Sequence, residues 1–265
     1  MKKLLADVRG IYAVTFRLLT EPKVLKTHIV VGFLYGAIIV VTLLAVVIGA
    51  ILFGNIDIEH ASVGEAAVLA GIALVLFLPS NLLISRLIHF AAAEQPRPRY
   101  FRDFRISRKE WINSFLLVFL IIVSTLISVT FFADTEGATG IDIWINTIFP
   151  SVIFTAISIP ILMPVAVLAA HDPHGWKSAR TWIFEMFAPM FIAYLLLTIA
   201  SSVVSLPLDW ALATTDSGAD MDSGDGVLRF LGVFSFAVLL LFAIFVMTFA
   251  IIAGGYRYWR EAYVP

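Results

Sequence analysis

Six long apolar stretches constrain this chain more than any other feature of its sequence. None of them carries a charged residue near its middle. About 20 apolar residues, at a rise of roughly 1.5 Å per residue, cross the hydrocarbon core of a bilayer as an α-helix. Each stretch is long enough to do so. The predicted spans are Thr27–Phe53, Val63–Ala92, Trp111–Phe132, Ile143–Ala170, Trp182–Leu208 and Leu228–Gly255.

Composition supports the same fold class. The chain has 265 residues, of which 60% are hydrophobic and only 14% are charged, whereas about a quarter of the residues of a soluble domain are charged. We therefore predict an all-α, polytopic integral membrane protein. A six-helix transmembrane domain would occupy residues 23–265, arranged as three helical hairpins in series, and residues 1–22 would form a separate surface helix. The absence of cysteine excludes disulfides, thiolate metal sites and iron–sulfur clusters.

Lysine and arginine residues indicate the orientation of the predicted bundle. Seventeen of the 18 precede the first span, lie in or beside the second and fourth loops, or follow the last span. The exception is Arg229, at the start of the last span. Because basic residues in short loops are retained on the cytoplasmic side of a membrane, we predict that both termini are cytoplasmic. The acidic run from Thr214 to Gly226, which lacks any basic residue, would then mark the outer face.

The first 22 residues have the pattern of an amphipathic helix lying on a membrane surface. Seven apolar residues recur at helical spacing, and basic residues fall on the opposite face or its edges. Such a helix would turn its basic side toward anionic lipid, and Pro22 would end it. The predicted apolar face consists of Leu4, Leu5, Val8, Ile11, Tyr12, Phe16 and Leu19, and the basic residues are Lys2, Lys3, Arg9 and Arg17.

The second loop, PRPRYFRDFRISRKEW, interleaves basic and aromatic residues. Aromatic residues among basic ones can stack on nucleic-acid bases, and a protein or nucleotide partner is a further alternative. Between two spans, however, contact with anionic headgroups is favoured, so we predict membrane lipids as partners and no nucleic acid. The residues predicted to contact the lipid surface are Arg97, Arg99, Arg102, Arg105, Arg108 and Lys109.

Two short motifs predict helix starts. Ser62 with Glu65, and Ser107 with Glu110, have the spacing of a capping box, in which the serine and glutamate side chains satisfy each other's backbone amides. Small residues at Gly32 and Gly36, and more loosely at Ala250 and Gly254, predict close helix packing. Packing within one chain is favoured over a dimer interface.

Polar residues near the predicted cytoplasmic ends of the spans form the candidate site. Two interpretations stay open. At shallow depth arginine and glutamate pair at low cost, which favours a structural layer of ion pairs. The alternative is a pocket for a ligand or a lipid headgroup, since ionisable groups within spans are often functional. The candidate residues are Asn81, Arg86, His89, His171, Glu185 and Arg257.

Metal sites and cofactors are not predicted. His171 and His174 flank Asp172, but Pro173 favours a turn there, with Asp172 as the N-cap of the next helix. The acidic run at 214–226 does not match a calcium-binding loop. Counted from Asp220 as the first loop residue, Gly224 stands at the third ligand position and Leu231 at the twelfth residue, where a bidentate glutamate is required.

Enzyme motifs are missing, and no span has an acid, lysine or histidine at its middle. We therefore predict a non-enzymatic, membrane-embedded partner or lipid-contacting component with a basic cytoplasmic face. The alternative is a transporter or channel for a small or lipid-like solute, which would use the candidate site. An intramembrane enzyme is the third possibility.

The last span runs into AIIAGGYRYWREAY, and the returning helices contain prolines at positions 79, 160 and 164. With six spans and cytoplasmic termini, the chain resembles uncharacterised bacterial six-span inner-membrane proteins, among them the membrane domain fused to some glycerophosphodiester phosphodiesterases. The resemblance covers most of the chain in layout but only about the last fifteen residues in sequence. It implies a bacterial plasma membrane. It supplies no catalytic residues, because the phosphodiesterase domain itself has no counterpart here.

Overall fold

The computed structural model describes residues 2–52, 81–92, 106–132, 140–215 and 224–264. Within these ranges the chain forms seven helices and no strand, so the predicted all-α class is confirmed for them. The helices are α1 (Lys2–Thr20), α2 (Pro22–Leu52), α3 (Asn81–Ala92), α4 (Arg108–Phe132), α5 (Gly140–Ala169), α6 (Trp176–Thr215) and α7 (Gly224–Tyr263).

Three of the described helices are long and apolar enough to cross a membrane. The segments that meet this criterion are Val152–Ala169 in α5, Trp176–Ser201 in α6 and Phe242–Tyr263 in α7. They overlap the fourth, fifth and sixth predicted spans. A membrane protein is the class that these helices support, and the count of six spans stays a prediction.

The helices extend beyond the apolar limits that define the predicted spans. α6 begins at Trp176 rather than near Trp182, and α7 continues past Gly255 to Tyr263. The reason is that hydropathy marks where a helix would leave the hydrocarbon, whereas its backbone hydrogen bonds continue through the polar residues beyond. The last helix therefore continues through Gly254 and Gly255, where the predicted span ends; both are close-packing positions, facing Thr15 and Met190 respectively.

α1 packs against α6 and α7 as part of the bundle. Its Tyr12 hydroxyl donates to the Ala193 carbonyl at 2.7 Å, and Gly10 lies against the ring of Tyr258. The buried face of α1 differs from the predicted apolar face in part: Leu5 and Phe16 are exposed. The residues that α1 buries are Asp7, Val8, Ile11, Val14, Thr15 and Leu18.

This difference in α1 has a physical cause. α7 offers glycine and tyrosine to its neighbour, so two polar residues of α1 are buried along with its apolar ones: Thr15 fits against Gly254, and Asp7 accepts hydrogen bonds from tyrosine hydroxyls. Leu5 and Phe16 lie on the outer side, where contact between this helix and lipid stays a prediction.

Candidate functional site

The turn between α5 and α6 is built on the C-terminal end of α5. The Asp172 N–H donates to the Val167 carbonyl at 3.3 Å, and the His171 N–H donates to the Leu168 carbonyl at 3.2 Å. This pair of bonds is a Schellman motif, in which the first residue after the helix cap has a left-handed backbone conformation. That residue is His171, with a φ of 54°. Glycine usually occupies such a position because it has no Cβ to clash.

Asp172 connects this turn to α6 and α7. Its side chain is fully buried, and Arg260 forms an ion pair with it at 3.2 Å. Its Oδ1 accepts from the Ser178 hydroxyl at 2.7 Å and from the His174 N–H at 2.9 Å, while its Oδ2 accepts from the Tyr256 hydroxyl at 2.9 Å. The carboxylate therefore holds three parts of the chain together.

The environment of Asp172 favours its charged form. Burial alone would raise the pKa of this carboxyl, but the hydrogen bonds from Ser178, His174 and Tyr256, together with the charge of Arg260, lower the pKa below its ordinary value. The prediction that Asp172 is the N-cap of the next helix is wrong, because α6 begins four residues later, at Trp176. The side chain instead closes the turn that precedes the helix.

A cleft of about 310 Å³ lies between the end of α3, this turn and the C-terminal part of α7. We call it the C-terminal cleft. Its lining combines two arginines and two acidic residues with small apolar ones. The lining residues are Ala92, Ala170, His171, Asp172, Pro173, Tyr256, Arg257, Arg260 and Glu261.

Three of the six candidate residues come together here. His171 and Arg257 line the C-terminal cleft. His89 meets His171 edge to face, with ring centroids 4.6 Å apart, and its Nδ1 lies within hydrogen-bond distance of the Ala169 carbonyl, to which a protonated Nδ1 donates. The three come from α3, the α5–α6 turn and α7, and all of them belong to the candidate site predicted from the sequence.

Arg86 belongs to a buried ion pair instead. Its Nε donates to Glu110 Oε1 at 2.9 Å. Glu110 also accepts from the Ser107 N–H at 2.7 Å, while the Ser107 hydroxyl accepts from the Glu110 N–H at 3.2 Å, so the predicted capping box is confirmed. Burial would raise the pKa of Glu110, but the bonds from Ser107 and Arg86 and the charge of Arg86 lower it. The other predicted box, at Ser62 and Glu65, lies outside the described residues.

Glu185 and Asn81 lie away from the cleft. Glu185 is an exposed residue of α6 that accepts a hydrogen bond from the Trp259 indole at 2.6 Å. Asn81 is fully buried and is the first described residue of α3, and neither of its amide atoms has a hydrogen-bond partner within the described ranges. Neither residue contributes to the lining of the C-terminal cleft.

The predicted lipid-surface residues are described only in part. Arg108 is exposed at the first position of α4. Lys109 donates from Nζ to the Asp172 carbonyl oxygen at 3.3 Å, which connects α4 to the turn beside the cleft. The four remaining arginines lie outside the described residues; they are Arg97, Arg99, Arg102 and Arg105.

Within the described residues, no group of three histidine, aspartate or glutamate side chains is arranged to hold a metal ion. His174 is exposed and contributes its backbone N–H to Asp172. Of the acidic run between α6 and α7, Asp216, Asp220 and Asp222 lie outside the described residues.

Several residues of the site were not predicted from the sequence. Tyr256 and Arg260 are four apart, on one face of α7, and both reach Asp172. That spacing, in YRYWR, was the available signal. Asp7 accepts from Tyr258 at 2.9 Å and from Tyr263 at 3.0 Å, a contact between the two ends of the chain that no local pattern could indicate.

No family model matches the chain, and no curated protein or solved structure is significantly similar to it. The resemblance to the membrane domain of certain phosphodiesterases therefore stays a prediction. The function proposed below depends on the geometry of the C-terminal cleft and the distribution of charge.

Proposed function

We propose that this protein is a non-enzymatic, multi-pass component of a bacterial inner membrane that binds the headgroup of an anionic lipid in the C-terminal cleft. The proposed protein has six transmembrane spans and both termini in the cytoplasm, so the cleft lies at the cytoplasmic end of the helices. The observation that carries it is a cleft of about 310 Å³ with Arg257 and Arg260 in its lining, at the ends of apolar helices. A membrane-protein partner at the same face is the other form that this role could take.

The charges of the cleft favour an anionic group. Both acidic residues of its lining have basic partners: Glu261 pairs with Arg17 at 2.7 Å, and Asp172 pairs with Arg260, which itself lines the cleft. Arg257 is largely buried beside them. Guanidinium groups bind phosphate oxygens with paired, charge-assisted hydrogen bonds, so a phosphodiester headgroup suits this lining.

Exposed aromatic residues support a lipid environment around the helices. Phe184 on α6 is 76% exposed and Phe115 on α4 is 60% exposed, which suits side chains that face acyl chains. Trp176 and Trp111 are also exposed. Trp176 is the first residue of α6, directly after the turn that lines the cleft, and Trp111 is in the first turn of α4, directly after the capping box. Tryptophan is enriched where helices leave the hydrocarbon for the headgroups.

Lipid retention tests the proposal directly. The full chain would be purified in mild detergent and exchanged into nanodiscs of phosphatidylcholine containing a minor fraction of phosphatidylglycerol, and the retained lipid would be measured by native mass spectrometry. We expect Arg257→Gln to lower the preference for phosphatidylglycerol about tenfold or more, because a charge-assisted hydrogen bond contributes roughly 1.5–3 kcal/mol.

The matched control is Arg180→Gln, which removes an exposed arginine of α6 that stacks on Phe184 and does not line the cleft. Its preference should equal that of the unmodified chain. An equal loss in both variants would mean that net charge alone attracts the lipid, and an unchanged preference in Arg257→Gln would contradict the cleft as the site. Thermal unfolding of both variants checks that each is folded.

The proposed topology has a simple test because the chain contains no cysteine. Single substitutions Lys177→Cys and Ser217→Cys would be probed in intact cells with a membrane-impermeant maleimide. We expect labelling at position 217 alone, and labelling at position 177 after the membrane is made permeable. Labelling of both in intact cells, or of position 177 alone, would contradict the orientation.

Transport of a small solute is less well supported by the cleft. A carrier site would need access beyond Asn81 toward the middle of the membrane, and Asn81 does not contribute to the lining. Headgroup binding needs only the rim that the arginines already form.

A further inference from the structure

Six buried side chains in the part of the chain that the structure describes have a polar atom without a hydrogen-bond partner. His28 and Trp182 each have one such ring nitrogen. The other four lie on α3, α4 and α5 and are fully buried: Asn81, Asn113, Thr155 and Ser158. The atoms concerned are both amide atoms of Asn81, Oδ1 of Asn113 and the hydroxyl oxygens of Thr155 and Ser158. Since buried polar groups are nearly always paired with protein or with ordered water, this group indicates an occupant.

Contacts through α4 establish how the helices that carry these residues are aligned. Asn113 Nδ2 donates to the Ser85 hydroxyl at 3.0 Å and to the Val165 carbonyl at 3.2 Å. One helical turn later, His89 reaches the Ala169 carbonyl. α3 and α5 therefore run in the same direction, with residues 85 and 89 level with residues 165 and 169.

This alignment places the unpaired atoms at successive depths. Asn81 is one turn from Ser85, on the same face of α3 and about 6 Å farther from the cleft. Ser158 is two turns from Val165, on the same face of α5 and about 10 Å deeper, and Thr155 is about 15 Å deeper. With Asn113 at the near end, the four side chains lie at increasing distances from the cleft, and we call this series the file.

The chemistry of this file selects an uncharged ligand that both donates and accepts. Amide and hydroxyl groups line it, and the charges nearest in sequence, on Arg86 and Glu110, are paired with each other at its outer end. A buried water molecule makes two to four hydrogen bonds to such groups, both as donor and as acceptor. We propose that Asn81, Asn113, Ser158 and Thr155 hold a file of ordered water molecules between α3, α4 and α5. This proposal is independent of headgroup binding.

A site without water is the competing explanation for the unpaired atoms, and Asn81 helps to distinguish it from a hydrated site. Threonine and serine hydroxyls in a helix can turn to the carbonyl four residues earlier, so Thr155 and Ser158 could be satisfied without water. A single backbone carbonyl cannot satisfy both the donor and the acceptor of the Asn81 amide. Variants of both kinds are therefore needed.

Water relaxation dispersion, measured by ¹⁷O or ²H resonance on the full chain in detergent, reports long-lived internal water. We expect the signal to fall in the variant Asn81→Leu, Thr155→Val, Ser158→Ala. It should stay unchanged in Thr27→Val, where a buried hydroxyl is already bonded to the Lys23 carbonyl. An equal signal from the triple variant and the unmodified chain would overturn the proposal.

Thermal unfolding of Thr155→Val alone gives a second decision, and this near-isosteric change keeps the test available if the triple variant does not fold. Valine in place of a hydrated threonine loses a water contact, so the midpoint should stay the same or fall. In a dry site where the hydroxyl makes no hydrogen bond, the same change removes an unsatisfied group and should raise the midpoint. A clear rise relative to the unmodified chain would overturn the proposal.

Discussion

The Tyr256 hydroxyl donates to the Asp172 carboxylate across 2.9 Å, joining the C-terminal part of α7 to the turn between α5 and α6. Both residues also line the C-terminal cleft. The same bond therefore contributes to the stability of the bundle and fixes one wall of the proposed headgroup site. Changes at either residue should alter both properties, which makes this pair the first place to test the structure.

Removal of this bond should destabilise the protein measurably. We expect Tyr256→Phe to lower the free energy of unfolding by about 1.5–3 kcal/mol, because a hydrogen bond to a charged acceptor is lost inside the fold. Arg260→Gln should cost less, about 1 kcal/mol or below, since the arginine is 44% exposed and its ion pair is screened by solvent. Denaturant unfolding in detergent measures both. Equal losses would contradict the dominance of the tyrosine contact.

Acid should weaken the fold through Asp172. Its pKa is lowered in the folded state, so its stabilising contribution is complete above the unfolded pKa, which is about 3.9. The contribution is lost as the pH falls through the still lower folded pKa. We expect the unfolding midpoint to drop as the pH falls below about 4, and Asp172→Asn to show a shallower drop. Glu110, whose pKa is also lowered, should account for part of the drop that remains in Asp172→Asn. Parallel curves for the two proteins would contradict this role of Asp172.

Local features of the fold could be predicted from the sequence, and long-range contacts could not. The capping box at Ser107 and Glu110 is a pattern within four residues, and the structure contains it. Close packing was predicted at Gly32 and Gly36. Gly32 lies against Phe242, whereas Gly36 is exposed and a Cβ there would meet no described residue within 4 Å, so the prediction is wrong for Gly36. In contrast, the contact of Asp7 with Tyr258 joins residues 251 positions apart.

The candidate site shows the same limit. His171 and Arg257 were predicted from their position near the ends of apolar stretches, and both line the cleft. Asp172 was assigned a local capping role, because its partners Tyr256 and Arg260 lie more than 80 residues away in the sequence. Periodicity identifies which residues share a helix face, but which helix that face meets depends on packing between distant segments.

The left-handed conformation of His171 predicts an unusual order of stabilities. At a φ of 54° a Cβ atom is strained, so His171→Gly should be more stable than His171→Ala by about 1 kcal/mol. Both variants lose the ring contact with His89, so the comparison between them isolates the backbone. Thermal unfolding of the pair measures the difference. The opposite order, with alanine the more stable, would contradict the Schellman turn.

Gly254 should be sensitive to the smallest enlargement, because a Cβ there would meet the hydroxyl of Thr15 and, at 3.0 Å, backbone atoms of the same residue. α1 would have to move away from α7. We expect Gly254→Ala to lower the free energy of unfolding by about 1–3 kcal/mol and to speed tryptic cleavage within residues 2–20. Gly36→Ala is the matched control, since its Cβ would meet none of the described residues within 4 Å, and alanine in a helix should there add about 0.5–1 kcal/mol. Equal stability of the two variants would mean that α1 does not pack on α7 as described.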